Sequence, residues 1–353
     1  MRLLVKKLRK KFFNFLFFSF FVILINRAIN TIMKMEDFSL WVEKYRPKTF
    51  DEIKGQEKIV ERVKAMVKKK NLNNLLLAGP AGCGKTTLIL VAARELYGDA
   101  WRNNILETNA SMERGINVIR QDIKNFARTR AVGDFPFKIC ILDEADALTK
   151  EAQQALRRTM ETYSQTCRFC LIANFSSKII EPIQSRCIVF RFKPLDKKAI
   201  TELAKYIAKN ENLKIDNAAL DALYRISDGD ARKVGNVLQS CAAISNKITE
   251  DLIYEVVSAA KPEEINEVLK LALKGNFVLA RKKLLDTMLN HGLSGIDVIK
   301  QIQKEVWNLK ISDEKKVLLI EKCGEAEFRM VEGSDEFIQL EALLASFVKI
   351  GLT

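Results

Sequence analysis

The residues from Gly79 to Thr86 have the composition of a phosphate-binding loop. Its glycines let backbone amides turn inward, Lys85 can reach phosphate oxygens, and the hydroxyl of Thr86 can bind a metal ion. The loop follows an apolar run, residues 74–78, and precedes a helical pattern over residues 85–96. Strand, loop and helix in that order predict a site for ATP with Mg²⁺. The predicted contacts of this segment are Gly79, Pro80, Ala81, Gly82, Cys83, Gly84, Lys85, Thr86 and Thr87.

An acidic pair follows the next apolar run. Residues 138–142 lead into Asp143, predicted to hold the metal's water shell, and Glu144, predicted to polarise the attacking water. Asn174 ends a third run, residues 169–173, where its amide could orient that water, although a turn-forming asparagine is an equal interpretation. The predicted chemistry is hydrolysis of ATP.

Strands that alternate with helices predict an α/β fold with a parallel sheet and with the site at the carboxyl ends of the strands. Beyond Pro194 the pattern predicts helices only, short at first and longer after Pro262. The longer ones are expected around residues 265–273, 277–289, 296–309 and 337–348. The predicted divisions are a leader (1–34), a nucleotide-binding core (35–195), a helical lid (196–261) and a C-terminal helical domain (262–353).

Composition excludes some classes of protein. The seven cysteines show no disulfide-framework spacing, which indicates a reduced, intracellular protein. Cys167 and Cys170 have the spacing of a zinc knuckle, but no second pair follows, and a buried strand is the favoured interpretation. A single histidine rules out mechanisms that need two imidazoles. The net charge of +14 falls to +6 without the eight cations before Met35, so charge alone only weakly indicates a polyanionic partner.

The first 34 residues are basic and then apolar, with seven phenylalanines among residues 12–25. This run is shorter than the roughly 20 residues that span a bilayer, and no small-residue cleavage site follows it. A membrane anchor and an export signal are two interpretations. We favour a third, in which translation starts at Met33 or Met35 and this leader is not part of the fold.

Further motifs resemble those of a known family. Residues 41–47 (Trp-Val-Glu-Lys-Tyr-Arg-Pro), 185–187 (Ser-Arg-Cys) and 229–232 (Gly-Asp-Ala-Arg), together with the phosphate loop, make the chain similar to the small subunit of archaeal replication factor C, a clamp loader. The likeness runs from about Met35 to the C-terminus. It implies an AAA+ ATPase core, a small helical lid and an all-α collar that holds subunits together.

The resemblance also implies residue roles. Arg186 corresponds to an arginine finger that acts on ATP held by a neighbouring subunit, with a structural ion pair as the competing interpretation. Arg232 corresponds to the lid arginine that senses the γ-phosphate, and Asn174 to the sensor at a strand end. Val42 and Arg46 lie in the segment that surrounds the adenine.

A DNA-tracking helix is implied from Arg114 to Arg128. Arg120, Lys124 and Arg128 recur every four residues, which places cations on one helix face suited to a phosphate backbone. A solvated helix face is the competing interpretation. Lys178 is a further candidate phosphate contact.

The predicted function is ATP-dependent loading of a sliding clamp onto primed DNA in replication. The expected cofactors are ATP and Mg²⁺. The expected partners are other copies of the chain, a large loader subunit, the sliding clamp and primer-template DNA, with no membrane and a cytoplasmic, nucleoid-associated location. The alternatives are a branch-migration motor or origin initiator, a structural ring subunit that binds ATP without hydrolysing it, and a membrane-tethered ATPase.

Overall fold

The computed structural model describes residues 39–111 and 119–352. Along this part of the chain, five strands form one parallel sheet in the order β2-β3-β4-β1-β5. Two further strands, β6 and β7, pair in parallel as a separate small sheet. The strands are β1 (Leu75–Ala78), β2 (Ile105–Asn109), β3 (Lys138–Asp143), β4 (Cys167–Ala173), β5 (Ile188–Arg191), β6 (Lys214–Ile215) and β7 (Lys247–Ile248). The predicted parallel α/β fold is therefore confirmed.

Helices cover most of the remaining described chain. Up to residue 257 they are α1 (Trp41–Lys44), α2 (Glu57–Lys68), α3 (Lys85–Tyr97), α4 (Lys124–Arg128), α5 (Lys150–Thr162), α6 (Glu181–Gln184), α7 (Lys197–Asn210), α8 (Asn217–Ser227), α9 (Ala231–Ala242) and α10 (Glu250–Val257). The later ones are α11 (Pro262–Leu273), α12 (Phe277–His291), α13 (Gly295–Val306), α14 (Asp313–Val331) and α15 (Glu336–Leu352). A wider, π-helical turn, Ile119–Ile123, leads into α4.

Helices cover both faces of the sheet, so its central strands are apolar on both sides. Alternate residues of β1 point to opposite faces: Leu75 and Leu77 pack with α2 and α3, while Leu76 packs with α4 and α5. The strands read as continuous apolar runs for this reason. Cys167 and Cys170 are both buried in β4, in agreement with the strand interpretation.

The described chain forms two compact units. One contains the described residues up to Leu203 together with Ser227–Gln239, and the other contains Ala204–Ile226 and the residues from Ser240 onward. The three-domain division stays a prediction. The prediction of helices only beyond Pro194 is wrong in one detail, because β6 and β7 pair there through Ile215 and Ile248.

The second unit has a core of its own, built from the inward faces of α11 to α15. Helix α14, 19 residues long, was not among the helices predicted from sequence. Its buried residues are few, namely Leu319, Cys323, Ala326 and Met330, and apolar residues also occur on its exposed side. In such a helix the apolar residues do not recur on one face alone, so the sequence shows no clear helical spacing. Among the described residues, no helix combines the length and the apolar character needed to cross a membrane.

Candidate nucleotide-binding site

The predicted phosphate loop connects β1 to α3. Gly79, directly after β1, has φ +150° and donates its N–H to the carbonyl of Ala173 on β4, 3.1 Å away. A Cβ at this position would lie 2.5 Å from the backbone oxygen of Phe192. Only glycine fits between these neighbouring backbones, so the loop starts in a fixed place.

The middle of the loop lies against the start of α9. Gly82 has φ +65°, and an added Cβ would lie 1.6 Å from a carboxylate oxygen of Asp230. Its carbonyl accepts a hydrogen bond from the N–H of Ala231 at 3.1 Å. The loop is thereby tied to the helix that carries Arg232.

Lys85 is the first residue of α3, and its side chain folds back into the loop. Its Nζ donates to the carbonyls of Gly79 and Pro80, both at 2.6 Å, and lies 3.3 Å from Oδ1 of Asn174. Burial lowers the pKa of Lys85, and the nearby charge of Arg232 lowers it further, whereas Asp143 opposes that shift. The ammonium group is therefore desolvated at the positive end of a helix, which favours an anionic ligand.

Thr86 and Asp143 meet where α3 begins and β3 ends. Thr86 Oγ1 donates to Oδ2 of Asp143 at 3.0 Å. The other carboxylate oxygen accepts the backbone N–H of Glu144 at 2.9 Å. Hydroxyl and carboxylate oxygens are ligands that Mg²⁺ prefers, and Mg²⁺ usually keeps several waters, so this small donor set fits it.

Glu144 has a left-handed backbone conformation, with φ 53° and ψ 37°. This conformation is uncommon for a residue other than glycine, and such residues occur preferentially at functional sites. The side chain of Glu144 is exposed next to Asp143. It is thus free to approach a ligand of the loop.

Asn174 follows β4 and is exposed apart from its contact with Lys85. The next residue, Phe175, donates its N–H to Oδ2 of Asp146 at 3.2 Å. The ends of β3 and β4 are therefore joined beside the loop. Lys85, Thr86, Asp143 and Asn174, predicted from separate parts of the sequence, come together here.

Helix α9 positions two further predicted groups. Asp230 caps its N-terminus by accepting the N–H of Arg232 at 2.7 Å, and the Arg232 side chain is exposed near Lys85. Farther along the helix, Gln239 accepts the N–H of Trp41 at 2.9 Å. A Cβ at Gly235 would lie 3.3 Å from Val42, so the segment from Trp41 packs on α9. Arg46, in the same segment, pairs with Glu43 at 2.6 Å.

Arg186 follows α6 and has contacts of its own. Its Nη2 lies 2.5 Å from Oε1 of Glu161, and its Nη1 donates to the carbonyl of Pro182 at 2.6 Å. Arg157 approaches the same Glu161 oxygen at 3.8 Å. An ion pair of Arg186, which is the competing interpretation of this residue, is thus present, and the finger role stays a prediction.

The predicted DNA contacts are described in part. Arg114 lies outside the described residues, and only the backbone of Arg120 is described. Lys124 and Arg128 are exposed at the two ends of α4. Lys178 is exposed as well, with its Nζ 5.2 Å from the ring centre of Phe175.

Sequence reasoning missed two residues that shape this region. Glu161 lies 25 positions before Arg186 and carries no local signal of that pairing. Gln153 is buried, donates to the carbonyls of Leu148 and Lys178 at 3.1 and 3.0 Å, and accepts the N–H of Ile180 at 2.8 Å. A glutamine on an amphipathic helix is normally exposed, so no local pattern singles this one out.

Two family descriptions match the chain. "ATPase family associated with various cellular activities (AAA)" matches residues 75–195, and "Replication factor C C-terminal domain" matches residues 260–346. The first covers the phosphate loop, Asp143, Glu144 and Arg186. The second covers α11 to α14 and part of α15.

Relatives match over nearly their whole length. A replication factor C small subunit of Methanococcus maripaludis is 53% identical over 305 residues, which are 86% of this chain and 97% of the relative. The replication factor C small subunit of Staphylothermus marinus is 54% identical, with 88% of this chain and 95% of the relative covered. That of Archaeoglobus fulgidus is 52% identical, with 88% of this chain and 98% of the relative covered.

Among solved structures, the Thermotoga maritima RuvB Holliday junction branch migration motor is similar, with a TM-score of 0.52. It is 22% identical, with 64% of this chain and 78% of that chain covered. A single-residue variant of the same RuvB protein gives a TM-score of 0.52 at the same identity. At this identity the likeness concerns the fold alone.

Proposed function

The chain belongs to the family of replication factor C small subunits, and from that premise we propose that it couples ATP hydrolysis to the loading of a sliding clamp onto primed DNA. The AAA match and the phosphate loop support an ATPase. The observation that carries the proposal is the convergence of Lys85, Thr86, Asp143 and Asn174 at one edge of the sheet. Our proposal concerns the hydrolysis of ATP and the coupling of that hydrolysis to clamp loading.

The residues of the loop have the right chemistry for ATP and Mg²⁺. The positive N-terminal end of α3 and the desolvated Lys85 suit the phosphates, while Thr86 and Asp143 offer oxygen ligands for the metal. When bound, Mg²⁺ neutralises phosphate charge. Thr87, Cys83 and the remaining loop residues complete the proposed binding segment.

Glu144 is the proposed general base. Its exposed carboxylate can accept a proton from water. The hydrogen bond from its backbone N–H to the carboxylate of Asp143 fixes its backbone. Asn174 would orient the same water or the γ-phosphate, since its amide already contacts Lys85. A subunit that only binds ATP has no need for this set.

Arg186 is proposed to act in trans on ATP bound by a neighbour, and Arg232 in cis from the lid helix. A cation supplied in trans needs a head-to-tail arrangement of subunits. Arg232 is already close enough to lower the pKa of Lys85. Val42 and Arg46 are proposed to border the adenine, in the segment that packs on α9.

Exposed apolar residues on the C-terminal helices support such an arrangement of subunits. On α14, Val317, Phe328 and Val331 are 63%, 66% and 64% exposed. With Gly324 they share one face, which we call the α14 stripe. A second exposed apolar set lies on α12 at Val278 and Leu279. Apolar sets on separate helices suit two different neighbours, as a ring or arc of this chain and a larger loader subunit requires.

DNA contact is proposed for Lys124, Arg128 and Lys178, together with Arg114 and Arg120. The exposed cations on α4 can follow a phosphate backbone without reading bases. Primed DNA as the substrate supports a cytoplasmic, nucleoid-associated location.

The branch-migration alternative has less support. The likeness to RuvB concerns the fold alone, whereas residues 260–346 match a replication factor C domain. Within residues 249–352 the structure contains helices and no strand, so nothing there resembles a winged-helix DNA reader.

The test is ATP turnover by the chain assembled with the large loader subunit of the same organism. We expect primed DNA and sliding clamp together to stimulate turnover strongly. Arg186→Ala should remove the stimulation, by about 10³-fold or more, while ATP binding survives. Turnover indifferent to clamp and DNA would contradict clamp loading, and indifference to Arg186→Ala would contradict the finger.

A further inference from the structure

Two separate helices hold the guanidinium of Arg186. Glu161, in the last turn of α5, contacts Nη2 through Oε1 at 2.5 Å. The carbonyl of Pro182, in α6, accepts from Nη1 at 2.6 Å, and Ser185 Oγ lies 3.5 Å from the same nitrogen. Anchoring from two directions fixes where the guanidinium points.

The ion pair contributes little to folding. The side chains of Arg186 and Glu161 are 36% and 41% exposed, and ion pairs at such sites add little to stability because water screens them. Its main effect is on orientation. A guanidinium has five N–H donors, so these few contacts leave donors for a phosphate. Arg186 can therefore bind an anion without first leaving Glu161.

A second cation shares this carboxylate. Arg157 Nη1 lies 3.8 Å from the same Oε1, and its buried Nε has no hydrogen-bond partner among the described residues. One negative charge thus serves two positive ones, and the three side chains keep a net charge of +1. This surplus argues against Glu161 as a latch that neutralises Arg186, and it favours a site prepared for an anion.

We infer that Glu161 is a positioning residue, which holds Arg186 in the orientation needed to reach the γ-phosphate of ATP on a neighbouring subunit. The inference rests on the finger role proposed above. Glu161 itself touches no reacting atom. Without its charge, Arg186 samples other rotamers, and each turnover must first recover the productive one.

The experiment is a double-mutant cycle on the assembled loader, with ATP, clamp and primed DNA. Glu161→Gln keeps the size of the side chain and removes its charge. We expect the kcat of the complex to fall about tenfold while KM for ATP and the thermal midpoint stay unchanged. In an Arg186→Ala background the same change should have no further effect, because Glu161 acts only through Arg186. Glu151→Gln, on the same helix, is the charge-matched control.

Three results would overturn the inference: an unchanged kcat, a raised kcat, or an equal further loss in the Arg186→Ala background. A lowered thermal midpoint with unchanged kcat would reduce the pair to a structural one. If Arg186→Ala alone leaves turnover intact, Arg186 is not an arginine finger, and Glu161 then has no catalytic group to position. If the unaltered complex ignores clamp and DNA, the proposed function fails, which is a different observation.

Discussion

The nucleotide core and the C-terminal helices differ in where their functional groups lie. In the core, polar side chains meet at the ends of β1, β3 and β4, and large exposed apolar residues are few within its described part. In α12 to α15 the reverse holds, with Val278, Leu289, Phe328 and several others exposed. The proposed chemistry therefore depends on short local motifs, whereas the proposed assembly depends on surfaces spread over several helices.

The largest expected effect is on the chemistry of the core. Glu144→Gln removes the proposed base but keeps the size of the side chain, so turnover should fall by about 10²- to 10⁴-fold. ATP binding should persist, because the loop and Lys85 are untouched. Steady-state turnover and equilibrium nucleotide binding would check this, with Glu95→Gln on α3 as the control. Normal turnover would show that water activation lies elsewhere.

The corresponding change in the helices should affect assembly alone. Phe328→Asp places a charge in the α14 stripe. The variant can no longer bury the apolar ring of Phe328 against a neighbouring subunit, which should weaken subunit association by about 10²-fold. Nucleotide binding should be unaffected. Sedimentation of the mixed subunits measures the first effect and titration with a nucleotide the second. Phe328→Leu should retain most of the affinity; equal affinity for the aspartate variant would remove the stripe from the interface.

A substitution of Gln153 tests whether the nucleotide core also depends on side-chain contacts that no sequence motif reveals. Gln153→Ala leaves the buried carbonyl of Leu148, the part-buried carbonyl of Lys178 and the N–H of Ile180 without their partner. It should lower the free energy of unfolding by about 2 kcal/mol. The neighbouring Gln154 is exposed, so Gln154→Ala should change it little. Urea unfolding of both variants gives the comparison. Equal effects would mean that the hydrogen bonds of Gln153 are dispensable.

The smallest expected effect separates stability from assembly within one helix. Gly324 lies in the middle of α14, and a Cβ there meets nothing within 4 Å. Gly324→Ala should therefore stabilise the separate chain by about 1 kcal/mol. If the α14 stripe packs closely on a neighbour, the same methyl group should weaken association. Chemical unfolding and sedimentation measure the two; a gain in both would argue against close packing at Gly324.

Sequence could predict the site where residues close in the chain share a motif. The positions of the loop, Asp143 and Asn174 at strand ends could be predicted because each follows a continuous apolar run that forms a central strand. Strands β2 and β5 were not predicted: β2 lies at the sheet edge with half-buried residues, and β5 ends in the exposed Arg191. Helix α14 was missed because residues such as Phe328 are apolar yet exposed. The contact of Glu161 with Arg186 depends on tertiary structure alone.

The hydrogen bond from the N–H of Ala231 to the carbonyl of Gly82 connects the phosphate loop directly to the start of α9. Because Asp230 occupies the space beside Gly82, the loop and the start of α9 cannot close further on each other. The 12 residues of α9 form a rod about 18 Å long, and Gln239 near its far end holds Trp41. Any displacement of the loop would therefore be passed along α9 to the segment that begins at Trp41.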